Sequence, residues 1–118
     1  MTKPLVSIIT PCYNGEAFLK RYFESILNQT YPNLELIFIN DGSTDRTEEI
    51  ALSYRERLEK RGITYIYEKQ ENAGQAAALN RGLKLFTGEY LTWPDSDDEM
   101  VSDAVEKKVD YLEQHPDY

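Results

Sequence analysis

Four short runs of apolar and β-branched residues, Leu5 to Thr10, Leu34 to Ile39, Ile63 to Tyr67 and Glu89 to Trp93, alternate with four longer stretches whose apolar residues recur at helical spacing. No other feature constrains the fold as tightly. A strand–helix–strand repeat makes successive strands parallel, because the connecting helix carries the chain back along the sheet, and strand twist makes that crossover right-handed. The first run is apolar or β-branched almost throughout, as a strand buried on both faces should be.

The punctuation between the runs agrees. Pro11 is expected to stop the first strand, and Asn14-Gly15 reads as a turn. A helix is expected over Glu16 to Gln29, with Phe18, Leu19, Tyr22, Phe23, Ile26 and Leu27 on one face, ended by Thr30-Tyr31-Pro32-Asn33. A second covers Arg46 to Lys60, with Ile50, Tyr54 and Leu58 as its buried stripe and Arg61-Gly62 closing it. A third covers Gln75 to Phe86, with Ala76, Leu79, Leu83 and Phe86 facing inward; Gly82 inside it costs about 1 kcal/mol relative to Ala, which a close approach to the sheet would explain. The last covers Ser102 to Gln114. The expected fold class is α/β: a half-Rossmann three-layer sandwich whose mainly parallel sheet has the order 3-2-1-4. The switch point then falls between strands 1 and 4, so the loop after strand 1 faces the loop after strand 4.

Length and charge bound the function. The 118 residues make one domain, and 41% hydrophobic residues suffice for a core. A net charge of -8 with no Lys/Arg stripe excludes nucleic acid as a steered partner, though not a phosphate ligand, whose charge a metal can balance. Cys12 is the only cysteine, so no intrachain disulfide forms; it is expected to be a small buried hydrophobe. Met1-Thr2-Lys3-Pro4 leads straight into the first strand, so no signal peptide is expected, and no apolar run approaches the ~20 residues that span a bilayer. A cytoplasmic location is expected, with any membrane association supplied from outside this chain. No strand follows the last helix, so the chain, residues 1–118, is expected to be the N-terminal part of something longer.

The unusual polar residues cluster after the strands. Thr92-Trp93-Pro94-Asp95-Ser96-Asp97-Asp98-Glu99 places four carboxylates within five residues. Unpaired, they would raise one another's pKa; a divalent cation relieves that repulsion, and Mg²⁺ and Mn²⁺ take carboxylate oxygens together with phosphates. The plainer alternative is a solvated acidic turn. Asp41 ends the second strand, where an acid can meet a base or ribose. No GxGxxG follows strand 1 and no G-K-[ST] is present, which excludes the standard dinucleotide and ATPase loops. Tyr13 could stack on a nucleobase or pack in the core. Asp45 and Glu48 read first as capping and charging the second helix.

Taken together these motifs resemble family 2 glycosyltransferases, inverting enzymes of the GT-A fold. The likeness is carried in order by Val6-Ser7-Ile8-Ile9-Thr10-Pro11-Cys12-Tyr13-Asn14, by Ser25-Ile26-Leu27-Asn28-Gln29-Thr30-Tyr31, and by Glu35-Leu36-Ile37-Phe38-Ile39-Asn40-Asp41-Gly42-Ser43-Thr44-Asp45. Asn72-Ala73-Gly74 with Ala78-Leu79-Asn80-Arg81-Gly82 follows, then Gly88-Glu89-Tyr90 leading to Asp95-Ser96-Asp97-Asp98. The resemblance implies a nucleotide-diphospho-sugar donor, UDP above all, bound by Pro11, Cys12, Tyr13, Asn14, Asp41, Asn72, Gly74, Asn80, Asp95 and Asp97. Pro11 and Tyr13 would border the uracil and Asp41 would accept its ring N–H. It also implies Mn²⁺ or Mg²⁺ held by Asp97 and Asp98; which of Asp95, Asp97 and Asp98 ligates directly stays open. The acceptor would be a glycan, a lipid-linked or another hydroxyl, and the general base is expected beyond Tyr118. Leu79 departs from the pattern, standing where many members carry Arg. Two other readings stay open: a nucleotidyltransferase-like enzyme, which would want a basic Gly-rich loop after strand 1, and a non-catalytic nucleotide-binding α/β domain. A response-regulator receiver would want acids after strand 1, where Cys12-Tyr13-Asn14 stand.

Overall fold

A computed structural model describes residues 4–92 and 104–114. The elements are β1 (Val6–Cys12), α1 (Glu16–Leu27), β2 (Leu34–Asp41), α2 (Thr47–Ser53), α3 (Arg55–Lys60), β3 (Thr64–Gln70), α4 (Gln75–Leu83), β4 (Tyr90–Thr92) and α5 (Ala104–Gln114). The four strands form one parallel sheet, as the alternation requires, in the expected order β3-β2-β1-β4. Every residue of β1 and β2 is buried. Their side chains alternate between two apolar layers. Ile8, Leu36 and Phe38 pack under the side that carries α1, α2, α3 and α5, with Leu19, Phe23, Ile26, Ala51, Leu58, Val105 and Val109. Ile9, Ile37 and Ile39 face Ala78 of α4 on the other side.

Four details differ from the sequence reading. β1 runs through Pro11 to Cys12 instead of stopping at Pro11. Past Ile8, which pairs with Thr92, the only described neighbour of β1 is β2, and a strand paired on one side tolerates a residue without an N–H. β3 likewise runs on to Gln70, paired with Asp41. The helix expected over 46–60 divides at Tyr54. There the Tyr54 ring stacks on Phe23 at 4.8 Å between centroids, its hydroxyl donates to Glu24 Oε2 at 2.8 Å, and Arg57 grips the same carboxylate at 2.5 and 3.0 Å, so this turn is held by α1. In α4 the buried residues are Ala78 and Gly82, whereas Ala76 and Leu83 are exposed. The reason is close approach: a Cβ at Gly82 would stand 2.4 Å from Ile9 Cγ2, so only glycine lets the helix lie this near the sheet. Trp93, the expected end of the fourth strand, and Ser102, the expected start of the last helix, lie outside the described residues.

At the amino ends of the strands Glu35 is 3% exposed and fully engaged. It accepts hydrogen bonds from Ser7 Oγ at 2.8 Å, Thr87 N at 2.9 Å and Thr87 Oγ1 at 2.8 Å, while Gly88 N donates to Ser7 Oγ at 2.9 Å. This latch fixes the turn that enters β4. Gln29 at the end of α1 accepts from Val105 N at 3.2 Å, which joins α5 to the same layer.

Gly82→Ala is expected to destabilise the chain by about 1–3 kcal/mol even though alanine is the better helix former, because the clash falls on a buried branched methyl that cannot swing aside. A urea denaturation midpoint at or above that of wild type would refute the close-approach account.

Candidate functional site

The carboxyl ends of β1, β2 and β3 carry three loops, and each is tied to the next. Asn14, in the first loop, has φ of 52°, a left-handed conformation uncommon outside glycine and taken most readily by Asn. Its N–H donates to Ser43 Oγ at 2.9 Å, and its Oδ1 accepts from Thr44 N at 2.8 Å. Gly15 N donates to Thr47 Oγ1 at 2.9 Å, and Glu16 N to Asp45 Oδ2 at 3.1 Å. Asp45 Oδ1 also takes Thr47 N at 3.0 Å and Thr47 Oγ1 at 2.5 Å. The N-cap position of α2 is Arg46, not the expected Asp45; Asp45, one residue earlier, satisfies the first N–H of the helix and ties it to the start of α1. Burial pushes its carboxyl up, but these donors outweigh that and leave it below the usual range. Glu48, in the first turn of α2, pairs with Lys69 of β3 at 2.8 Å.

Asp41 joins the second loop to the third. It is 3% exposed. Oδ1 accepts from Gln70 Nε2 at 2.9 Å and Ala73 N at 2.9 Å, Oδ2 accepts from Gly74 N at 3.0 Å, and its carbonyl accepts from Asn72 Nδ2 at 3.1 Å. Burial alone would raise this carboxyl; the donors from Gln70, Ala73 and Gly74 together pull it below the ordinary carboxylate range. Gly74 has φ of 98°, the backbone turn that presents its N–H to Asp41 just before α4. A surface hollow beside Asp41 is lined by Gly42, Ser43, Lys69, Gln70, Glu71 and Asn72.

Of the residues singled out from sequence, Pro11 and Cys12 are buried at the end of β1, Tyr13 stands 53% exposed beyond them, and Asn14 is exposed in the interlock. Asn72 and Gly74 belong to the turn that Asp41 holds. Asn80 is exposed on α4. Asp95, Asp97 and Asp98 lie outside the described residues, and among the described residues no group of three His, Cys, Asp or Glu could hold a metal ion. Sequence reasoning missed Asn40, Ser43, Thr47 and Gln70. Asn40 left a signal: it is a polar residue, here wholly buried, inside a run otherwise apolar from Leu36.

The model of Glycosyl transferase family 2 matches residues 7–118. The chain is 45% identical over 109 residues to an uncharacterized glycosyltransferase of Rickettsia typhi, covering 92% of this chain and 32% of that protein. Among solved structures it is similar to S. aureus TarS 1-349 in complex with UDP, with a TM-score of 0.84, 26% identity, and coverage of 94% of this chain and 32% of that one. It is equally similar to the mannosyltransferase PcManGT from Pyrobaculum calidifontis in complex with GDP-Man and Mn²⁺, with a TM-score of 0.84, 30% identity, and coverage of 95% and 33%. The chain thus spans about a third of the length of these relatives. Among the described residues no helix is long and apolar enough to cross a membrane.

Asp41→Asn keeps one acceptor oxygen but places an amide N–H₂ against at least the Gly74 N–H, and is expected to cost about 1–3 kcal/mol at neutral pH. Because the folded carboxyl is depressed, its contribution is complete above the unfolded value of about 3.9 and disappears as pH falls through the lower folded value. The stability gap between wild type and variant, measured by urea denaturation, should therefore be constant from about pH 7 to 5 and narrow below about pH 4. A gap that is absent at pH 7, or that widens in acid, would contradict the role given to this carboxylate.

Proposed function

Because the chain belongs to glycosyl transferase family 2, we propose that it is the donor-binding part of a glycosyltransferase that moves a sugar from a nucleotide diphosphate to an acceptor hydroxyl, with inversion and with the help of a divalent cation. The observation that carries this reading is the set of three interlocked loops around Asp41 at the carboxyl ends of a parallel sheet, the end where such sheets bind nucleotides.

In this reading Asp41 recognises the base. It is an acceptor only, and its Oδ2 carries a single bond, from Gly74, leaving a lone pair for a ring N–H. Uracil and guanine both offer such a donor, while adenine and cytosine do not, which suits the UDP and GDP-Man bound by the similar structures. UDP is the donor nucleotide we propose. Exposed Tyr13 and the end of β1 at Pro11 and Cys12 would flank the base. Asn14, Asn72, Gly74 and Asn80 would line its approach, and Asp95 and Asp97 would reach the ribose.

Asp97 and Asp98 would hold the cation, Mn²⁺ or Mg²⁺; their hard oxygen donors suit either. When bound, it would neutralise the charge that develops on the departing diphosphate. The register supports this placement: Thr92 pairs with Ile8, and Asp95 follows three residues later, a reach of at most about 11 Å. That compares with roughly 13 Å along β1 from Ile8 to Cys12. The acceptor hydroxyl, on a glycan, lipid-linked or other substrate, would attack the anomeric carbon from the face opposite the diphosphate, its proton taken by a base beyond Tyr118.

Calorimetry with UDP and GDP, with and without Mn²⁺, tests this. Wild type should bind UDP at least about tenfold more tightly with Mn²⁺ than in EDTA, a difference of about 1.4 kcal/mol. Asp98→Asn should abolish that dependence, and Asp41→Asn should keep it while weakening UDP by about 1–3 kcal/mol. Equal affinity in EDTA would sink the metal assignment, and Mn²⁺ dependence retained in Asp98→Asn but lost in Asp95→Asn would reassign the ligand.

A further inference from the structure

Resting on the donor-site reading above, we propose that Asn40 is a positioning residue of the nucleotide site: through a one-way chain of hydrogen bonds it sets the Ser43 turn and, through Ser43, the left-handed Asn14. The side chain is wholly buried at the penultimate position of β2, so it touches no ligand itself. Its Nδ2 donates to Tyr67 Oη on β3 at 3.0 Å, and its Oδ1 accepts from Ser43 N at 3.0 Å. Ser43 Oγ in turn accepts from Asn14 N at 2.9 Å.

The direction of every link is forced. Backbone N–H groups only donate, so Ser43 N fixes which atom of Asn40 is the oxygen, and the amide nitrogen must then donate to Tyr67. Tyr67, having accepted, closes the chain on β3. The chain runs from Asn14 in the first loop through Ser43 and Asn40 to Tyr67 on the outer strand, and its inner members, Asn40 and Tyr67, are not among the residues assigned to the nucleotide. The coupling at Ser43 is mechanical: its backbone N–H is anchored on Asn40 and its Oγ receives Asn14, so loss of the anchor frees the turn that presents Oγ.

What the chain holds is a left-handed residue, a conformation uncommon outside glycine although Asn adopts it more readily than most. Asn14 is kept there by Ser43 and Thr44, and both belong to the turn that Asn40 fixes. Release of Ser43 lets Asn14 relax, and with it Tyr13, the exposed ring at the mouth of the site.

The test reads amide exchange and UDP binding in wild type, Tyr67→Phe, Asn40→Leu, Ser43→Ala and Ser43→Thr. Asn14 is exposed, so protection of its amide reports its bond to Ser43 and little else. In Tyr67→Phe and Asn40→Leu the Asn14 amide should exchange at least about fivefold faster relative to the core amides of Ile8 and Ile37, and UDP with Mn²⁺ should bind about three- to tenfold more weakly. Ser43→Ala should do the same without touching the buried part of the chain, and Ser43→Thr, which keeps the acceptor oxygen, should restore both. A role confined to filling space would slow or speed all amides together and would not be rescued by threonine. Unchanged relative exchange at Asn14 in Ser43→Ala, or in both Tyr67→Phe and Asn40→Leu, overturns the proposal; if Asn40→Leu does not fold, Ser43→Ala and Tyr67→Phe decide it. If the exchange pattern holds but wild type binds neither UDP nor GDP, the hydrogen-bond chain stands and the nucleotide reading falls.

Discussion

Two parallel strands in which every residue is buried leave no water for their backbone groups, so each must be paired along its length and roofed on both faces. The rest of the molecule follows from this constraint on β1 and β2. One face takes α1, α2, α3 and α5, and the other takes α4. Polar side chains are then pushed to the strand ends, where a loop can meet them. Ser7 and Glu35 sit at one end and Asn40 and Asp41 at the other. Thr10 is the exception inside β1, and it shares its hydroxyl with that of Tyr22 beneath α1.

The two ends carry carboxylates of the same kind. Glu35 and Asp41 are equally buried, and each side chain accepts three hydrogen bonds from residues distant in sequence: Ser7 and Thr87 for Glu35, and Gln70, Ala73 and Gly74 for Asp41. A buried, satisfied carboxylate is therefore no evidence of function by itself. What separates them is surroundings. Glu35 is closed in by the turn at Thr87 and Gly88, whereas Asp41 joins loops that are tied to one another at the end of the sheet where ligands meet parallel strands.

The sheet order was legible because it rests on composition and spacing alone: apolar runs too long to be half-exposed, separated by single helices, admit few arrangements. The candidate site was legible where motif residues lie on loops, as with Asn14, Asp41 and Gly74. It was not legible where the decisive fact is a partner far away in sequence. Ser43 and Thr47 read as ordinary turn and cap residues until the first loop is seen to donate to them. The inward stripe of α4 was misplaced for a related reason. Helical periodicity marks large apolar residues, yet the face that meets the sheet is set by Ala78 and Gly82, the residues small enough to come close. Tyr54 falls on the expected stripe, but nothing local to it announces that Phe23 and Glu24 of another helix will hold the turn there.

The latch beneath β4 bears on the order in which the chain assembles. Ser7 and Glu35 meet across 28 residues, whereas Thr87 must find Glu35 across 52 and Gly88 must find Ser7 across 81. Closing the longest of these loops costs about 1 kcal/mol more chain entropy than closing the shortest. Long-range parallel pairing is slow for the same reason. Ser7 and Glu35, on the paired β1 and β2, form the template that sets where β4 begins. The strand that leads into the acidic stretch is thus placed by side chains at the opposite end of the sheet.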